Sequence, residues 1–132
     1  MEKSDKQVIE TDFKNALNLA FDVFGNDAFR KRTDSYHGRR PLNKAYFEVI
    51  TVLFSKLNKE EKKLLRIYKD LFRENLIVLM NSNRYSNSLS GGTGTKDSVN
   101  IRFSWFKQVL NKSINGKRIR IGDDNKIEDI EL

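Results

Sequence analysis

Residues 58–80 read NKEEKKLLRIYKDLFRENLIVLM, and this stretch decides the class of fold. Its apolar side chains recur every three or four residues, which is the period of one face of a helix. They are Leu64, Leu65, Tyr68, Leu71, Phe72, Leu76, Leu79 and Met80. Asn58 precedes the run and Glu61 follows three residues later, which is the spacing of a capping box. The stretch therefore predicts one long amphipathic helix that begins after Asn58 and ends near Asn81 to Asn83.

Helical periodicity continues on both sides of this stretch. Residues 5–24 predict a first helix whose apolar face carries Ile9, Phe13, Ala16, Leu17, Ala20, Phe21 and Phe24. A second helix is marked by Tyr46, Phe47, Val49, Ile50, Leu53, Phe54 and Leu57. A helical turn over residues 84–89 and the segment SGGTGTKD lead to a last helix, capped by Thr95 or Asp97. Its predicted inner face is Val99, Phe103, Phe106, Leu110 and Ile114, and Gly116 ends it.

This pattern predicts an all-α protein, a small helical bundle of about four main helices plus short helical turns. We expect Phe47 and Phe72 to be buried between helices. Trp105 lies between Phe103 and Phe106, which directs it sideways or outward on its helix. Such a tryptophan is more often a partly buried core residue than an interface anchor, and both interpretations stay open.

We predict a single helical domain over residues 1–116 and a flexible acidic tail over residues 117–132. Within the tail, Arg118–Ile121 alternates in polarity, but the sequence shows no evident partner strand. Hydrophobic residues make up 38% of the 132-residue chain and charged residues 33%, which is a globular composition with enough chain for one core. No apolar run is long enough to span a membrane, and the N-terminus MEKSDKQ lacks a signal-peptide core, so we expect a cytoplasmic protein with no membrane partner.

The charge of the chain is unevenly distributed. The net charge is +7, but the last ten residues carry five acidic side chains and one lysine. Residues 1–122 therefore hold 24 basic and 13 acidic side chains, a net charge of +11. A basic body indicates a nucleic-acid partner, although lysine-rich surfaces also serve solubility alone.

The strongest functional signal is a basic segment between the first two predicted helices. It contains Arg30, Lys31, Arg32, Tyr36, His37, Arg39, Arg40 and Lys44. Arginine suits bidentate phosphate contacts, and the two rings can stack on bases. Three interpretations stay open: nucleic-acid binding, docking to another domain, and a structural role within the bundle.

The residues that catalysis would need are sparse. The segment GGTGTK departs from a phosphate-binding loop, because Thr95 separates Gly94 from Lys96 and the preceding element is helical. The chain has one histidine, His37, and no cysteine, so we expect no metal site and no cofactor. We predict a non-enzyme, with a nuclease or NTPase as a distant third possibility.

Four short motifs carry a resemblance to a known family. They are Ala28-Phe29-Arg30-Lys31, the run Asn43-Lys44-Ala45-Tyr46-Phe47-Glu48, Ser90 through Gly94, and Arg102-Phe103. In order and spacing they resemble the C-terminal helical region of the bacterial family whose members begin with a ParB/sulfiredoxin-like nucleotide-binding domain. That family includes the GmrSD-type modification-dependent restriction enzymes and other phage-defence proteins.

The resemblance covers about residues 8–115 and implies a helical accessory module. The family's nucleotide chemistry is associated with a D-G-Q-Q-R-type motif of the front domain, which this chain lacks, so no catalytic role carries over. The implied partner is a ParB/sulfiredoxin-like domain, in the same polypeptide or from an adjacent gene, with DNA as a further partner. The alternative is a stand-alone basic nucleic-acid-binding protein.

Overall fold

The computed structural model describes residues 2–25, 43–89 and 94–130, with side chains from residue 10 onward. The described helices are α1 (Glu2–Phe24), α2 (Lys44–Ser55), α3 (Lys59–Ile67), α4 (Lys69–Met80), α5 (Asn83–Ser88) and α6 (Lys96–Ile114). Two strands follow, β1 (Arg118–Ile121) and β2 (Ile127–Ile130). The predicted class is confirmed, because the molecule is a small, mainly helical bundle. Among the described helices, none is both long and apolar enough to cross a membrane.

Aromatic rings from four helices form the centre of the core. Phe54 of α2, Phe72 of α4 and Phe106 of α6 are fully buried, and their ring centroids lie 5.7 to 6.4 Å apart. Phe24 of α1 stacks on Phe54 at 6.2 Å. Offset and edge-to-face contacts at these distances add to the stabilisation that burial provides. This cluster joins α1, α2, α4 and α6 into one core.

Phe47 differs from its prediction. Its side chain is half-buried rather than enclosed, and its ring meets the 44% exposed ring of Phe13 edge to face at 6.3 Å. Val49 and Ile50 occupy the buried positions on that part of α2 instead. On the apolar face predicted for the first helix, Ala16, Ala20 and Phe24 are buried, but Phe21 is 56% exposed. Leu19 and Val23 are buried in addition.

The long helix predicted from Asn58 is two helices in the structure. The capping box at its start is confirmed, since the Asn58 side chain accepts from the Glu61 N–H and the Glu61 carboxylate accepts from the Asn58 N–H. The helix ends at Ile67, and α4 begins again at Lys69, because Tyr68 leaves the helical conformation with φ −99° and ψ 20°. Leu65 and Phe72 are nevertheless both fully buried. The apolar residues therefore keep helical spacing across the break at Tyr68, so the sequence pattern does not show where α3 ends.

The predicted flexible tail is wrong for residues 118–130, which form an antiparallel β-hairpin. Arg118 pairs with Ile130 and Ile121 with Ile127. The pairing needs a tight turn, and Asn125 adopts a positive φ of 60° within it, a conformation that asparagine tolerates better than most residues. The hairpin packs on α4 and α6, where Ile119 is 1% exposed.

A buried amide helps to attach this hairpin to α4. Asn75 is fully buried, and its Nδ2 donates to Ser113 Oγ and to the Lys117 carbonyl, both at 2.9 Å. Its Oδ1 accepts from the Ile119 N–H at 3.1 Å. Gly116, at φ 74°, ends α6 in the left-handed conformation that lets the chain turn back toward α4. Asn75 therefore provides hydrogen-bond partners for the Lys117 carbonyl and the Ile119 N–H, where the chain passes from α6 into β1.

Candidate binding cleft

Asn43 fixes the start of α2 and joins it to α5. Its Oδ1 accepts from the Tyr46 N–H at 2.8 Å, which is the bond of an N-cap. Its Nδ2 donates to the carbonyl of Leu89, the residue after α5, at 2.9 Å. One side chain therefore ties together two points that are 46 residues apart in sequence.

Arg102 of α6 lies beside this junction and is only 3% exposed. Its Nη1 donates to the Ser88 carbonyl at 2.9 Å, and its guanidinium carbon lies 5.9 Å from the ring centre of Phe103. The Arg102 carbonyl accepts a long hydrogen bond, 3.4 Å, from the Tyr85 hydroxyl. The Ser88 bond and the Phe103 ring hold the guanidinium beside the junction, because a buried charge needs such contacts to offset its desolvation.

Between these residues lies a cleft of about 490 Å³. The residues that line it come from α2, from the end of α5 and from the start of α6: Asn43, Lys44, Ala45, Glu48, Leu89, Gly94, Val99 and Arg102. Lys44 and Glu48 are exposed, one helical turn apart on α2. Gly94 directly precedes Thr95, whose hydroxyl caps α6 by accepting from the Ser98 N–H at 3.2 Å.

Among the residues that line the cleft, positive charges outnumber negative ones by two to one. The N-terminal ends of α2 and α6 both border it, and each carries the positive end of a helix dipole. Lys44 and the buried Arg102 add two full charges, and the Glu48 carboxylate opposes them on one side. A ligand with an anionic group near Lys44 and a cationic or donor group near Glu48 would complement this arrangement.

Three of the four motifs that carry the family resemblance meet at this cleft. Asn43, Lys44, Ala45 and Glu48 belong to the second motif, Gly94 to the third, and Arg102 to the fourth. These residues are spread over 60 positions of the sequence, from 43 to 102. The first motif, residues 28–31, lies outside the described residues.

Of the predicted site residues, the structure describes only Lys44, which is exposed at the mouth of the cleft. The others lie outside the described residues, namely Arg30, Lys31, Arg32, Tyr36, His37, Arg39 and Arg40. Arg102 and Glu48 are not among the site residues predicted from the sequence. A signal for Arg102 was present, because this cation stands between the apolar residues Ile101 and Phe103 of the last predicted helix.

Two buried tyrosines lie next to the cleft. Burial raises the pKa of the Tyr46 hydroxyl far above its ordinary value near 10. Burial also raises the pKa of Tyr85, with a smaller upward contribution from Tyr46 and a downward one from Arg102. Both phenols are therefore neutral at physiological pH and serve as core residues with a polar end.

Trp105 is half-buried, and its contacts are now defined. Its ring stacks on Tyr85 with centroids 6.4 Å apart, and the Arg84 guanidinium lies 6.0 Å from its ring centre.

Within the described part of the chain, no three histidine, cysteine or carboxylate side chains are grouped so that they could share a metal ion. The chain matches no protein-family model, no curated protein and no solved structure.

Proposed function

We propose that this chain is a non-enzymatic helical accessory module of a bacterial restriction or phage-defence protein. In this role it docks a ParB/sulfiredoxin-like nucleotide-binding domain, in the same polypeptide or from an adjacent gene, and contacts nucleic acid. The module would act in the cytoplasm, where such a system meets DNA. The observation that carries the proposal is the meeting of three separate motifs at one cleft.

The cleft suits a protein partner better than a small metabolite. It is open, it presents charges of both signs, and its walls belong to helix ends that hydrogen bonds hold in place. Interfaces between domains are more polar than permanent interfaces, and a few anchoring side chains supply most of their affinity. A partner side chain that enters between Lys44 and Glu48 would be such an anchor.

The nucleic-acid part of the proposal rests on charge. Six cations fall within residues 30–44, and the body over residues 1–122 carries +11. Such a charge attracts a polyanion and raises the rate of encounter. The same observation supports the second candidate function, a stand-alone basic nucleic-acid-binding protein.

Titration calorimetry with the separately expressed ParB/sulfiredoxin-like domain of the same system tests the docking. The variant Lys44→Glu/Glu48→Lys inverts the local charge pattern but keeps the net charge, so we expect at least tenfold weaker association. Glutamate is favoured in the first turn of a helix, so the swap should not destabilise α2. The control is Glu10→Lys/Lys14→Glu, which exchanges an exposed pair of the same spacing on α1. Equal affinity of both variants and the wild type would refute docking at the cleft.

Fluorescence anisotropy with a labelled duplex, over a series of salt concentrations, separates the two candidate functions. Replacing Arg32, Arg39 and Arg40 with alanine should lower the slope of log affinity against log salt by roughly one unit per lost phosphate contact. Submicromolar affinity above about 0.15 M salt, together with no association with the front domain, would favour the stand-alone nucleic-acid-binding protein.

A further inference from the structure

Four lysines form a patch where α2 ends and α3 begins. Lys56 follows the last turn of α2, and Lys59, Lys62 and Lys63 lie in the first two turns of α3. Lys56, Lys59 and Lys63 are exposed and Lys62 is partly exposed. The rise of a helix places Lys59 and Lys63 about 6 Å apart along its axis. We call these four residues the α3 lysine patch.

The lysines of the patch form no ion pairs with described carboxylates. Four other cations of the described structure have such partners: Arg66 with Asp22, Lys112 with Asp129, Arg118 with Glu74 and Arg120 with Glu128. Within the described residues, none of the four patch lysines has an ion pair. The neighbouring Glu61 carboxylate is engaged by the Asn58 N–H in the capping box. Residues 56–63 contain these four lysines and the carboxylates of Glu60 and Glu61, so this part of the surface keeps a net charge of +2.

The helix that presents the patch is firmly positioned. Leu65 on its inner side is fully buried, and the capping box fixes its first turn. Lysine side chains on a fixed helix can meet successive phosphates without ordering the backbone first, which lowers the entropic cost of binding.

We propose that the α3 lysine patch binds the phosphate backbone of double-stranded nucleic acid. Lysine is a strongly hydrated point charge that suits contact with phosphate oxygens. Within α3 there is no aromatic residue on which unpaired bases could stack, which single-strand binders use. A duplex also offers twice the charge per unit length of a single strand.

The other polyanionic partner to consider is an anionic membrane. Ile67, at the end of α3, is 63% exposed, and it is the only described residue of α3 that is both large and apolar at this level of exposure. Helices that bind membranes bury a broad apolar face, and one isoleucine offers too little area for this. The observations therefore favour the duplex.

This inference deepens the nucleic-acid part of the proposed function but rests on different residues from the cleft and from residues 30–44. Docking at the cleft and duplex binding at the α3 lysine patch can therefore be refuted independently of each other. Changes in the α3 lysine patch should weaken duplex binding and leave docking of the front domain unchanged.

Anisotropy with a labelled duplex tests the inference. The variant Lys59→Gln/Lys62→Gln/Lys63→Gln should bind at least tenfold more weakly at low salt, and its slope of log affinity against log salt should fall by roughly two to three units. The matched control, Lys14→Gln/Lys107→Gln/Lys126→Gln, removes the same charge from exposed positions elsewhere. We expect it to change the affinity by less than threefold. Circular dichroism verifies that both variants keep the fold.

Three outcomes would overturn the inference. The control could weaken binding as much as the patch variant, which would show that only net charge matters. The wild type could fail to bind the duplex even at about 50 mM salt. Phosphatidylserine vesicles could bind more tightly than the duplex and lose binding in the patch variant alone, which would assign the patch to a membrane surface.

Discussion

Helices α2 and α4 are both twelve residues long and both begin with a lysine, but their polar residues have different surroundings. On α4, Asn75 is fully buried and bonded to three groups, one of α6, one of β1 and one of Lys117 between them. On α2, Lys44 and Glu48 are exposed at the rim of an open cleft. A polar group whose partners lie inside the protein contributes to stability. Polar groups around an open cleft keep their hydrogen-bonding capacity for a partner. Asn75 of α4 therefore contributes to the stability of the fold, whereas the first turns of α2 form the candidate site.

The largest expected difference between the two helices is the response of their aromatic residues to truncation. Phe72→Ala on α4 should lower the free energy of unfolding by about 3–5 kcal/mol, because its ring is fully buried among Phe24, Phe54 and Phe106. Phe47→Ala on α2 should cost about 1–2 kcal/mol, since the half-buried ring removes less apolar area from water. Urea denaturation measures both. Equal losses would contradict the assignment of faces on α2.

The next effect concerns the buried amide. Asn75→Ala should cost about 2–3 kcal/mol, because it leaves the Ile119 N–H and the Lys117 carbonyl without their bonds to α4. Asn43→Ala on α2 should cost about 1 kcal/mol, the usual cost of losing an N-cap. Hydrogen exchange of the Ile119 amide gives a local measure and should speed up at least tenfold in Asn75→Ala. An exposed control, Gln108→Ala on α6, should leave it unchanged. A protected Ile119 amide in Asn75→Ala would show that the hairpin is held by other contacts.

The smallest effect is a change of stability at alkaline pH. Burial raises the pKa of Tyr46 and of Tyr85 in the folded state, whereas in the unfolded chain both titrate near 10. Above pH 10 the unfolded state therefore binds fewer protons than the folded state. The free energy of unfolding therefore keeps its full value below pH 10. Above pH 10 it falls by up to about 1.4 kcal/mol per pH unit for each tyrosine. Tyr46→Phe should halve this slope in urea melts at pH 9 to 11, and an unchanged slope would mean that Tyr46 ionises in the folded protein.

Much of the helical framework could be predicted from local sequence. The capping box at Asn58 and Glu61 and the Thr95 cap of α6 depend on residues three positions apart, so the sequence shows them directly. The break at Tyr68 could not be predicted in this way. The apolar residues on both sides of it remain at helical spacing, and the Tyr68 ring packs against the distant Gly116 turn.

The hairpin was missed although a local signal existed. The run Arg118–Ile121 alternates, and the residues GDDN that follow it are typical of a turn. What the sequence does not show is the contact with Asn75, 44 residues away from Ile119, that gives the strands a surface to pack on. The cleft depends in the same way on distant residues. Its motifs are visible in the sequence, but their meeting depends on the Asn43–Leu89 and Arg102–Ser88 contacts.

We expect the contacts of α4 to stabilise the fold and the first turns of α2 to bind the partner domain. One experiment tests it most directly: the melting temperature and the Kd for the ParB/sulfiredoxin-like domain are measured for Asn75→Ala and for Lys44→Glu/Glu48→Lys. We expect Asn75→Ala to melt roughly 10 °C lower and to bind with unchanged Kd at a temperature where it is folded. The charge swap should melt within about 2 °C of the wild type and bind at least tenfold more weakly. If the charge swap left the Kd unchanged, or if Asn75→Ala weakened binding as strongly as the swap, the division between the two helices would be wrong.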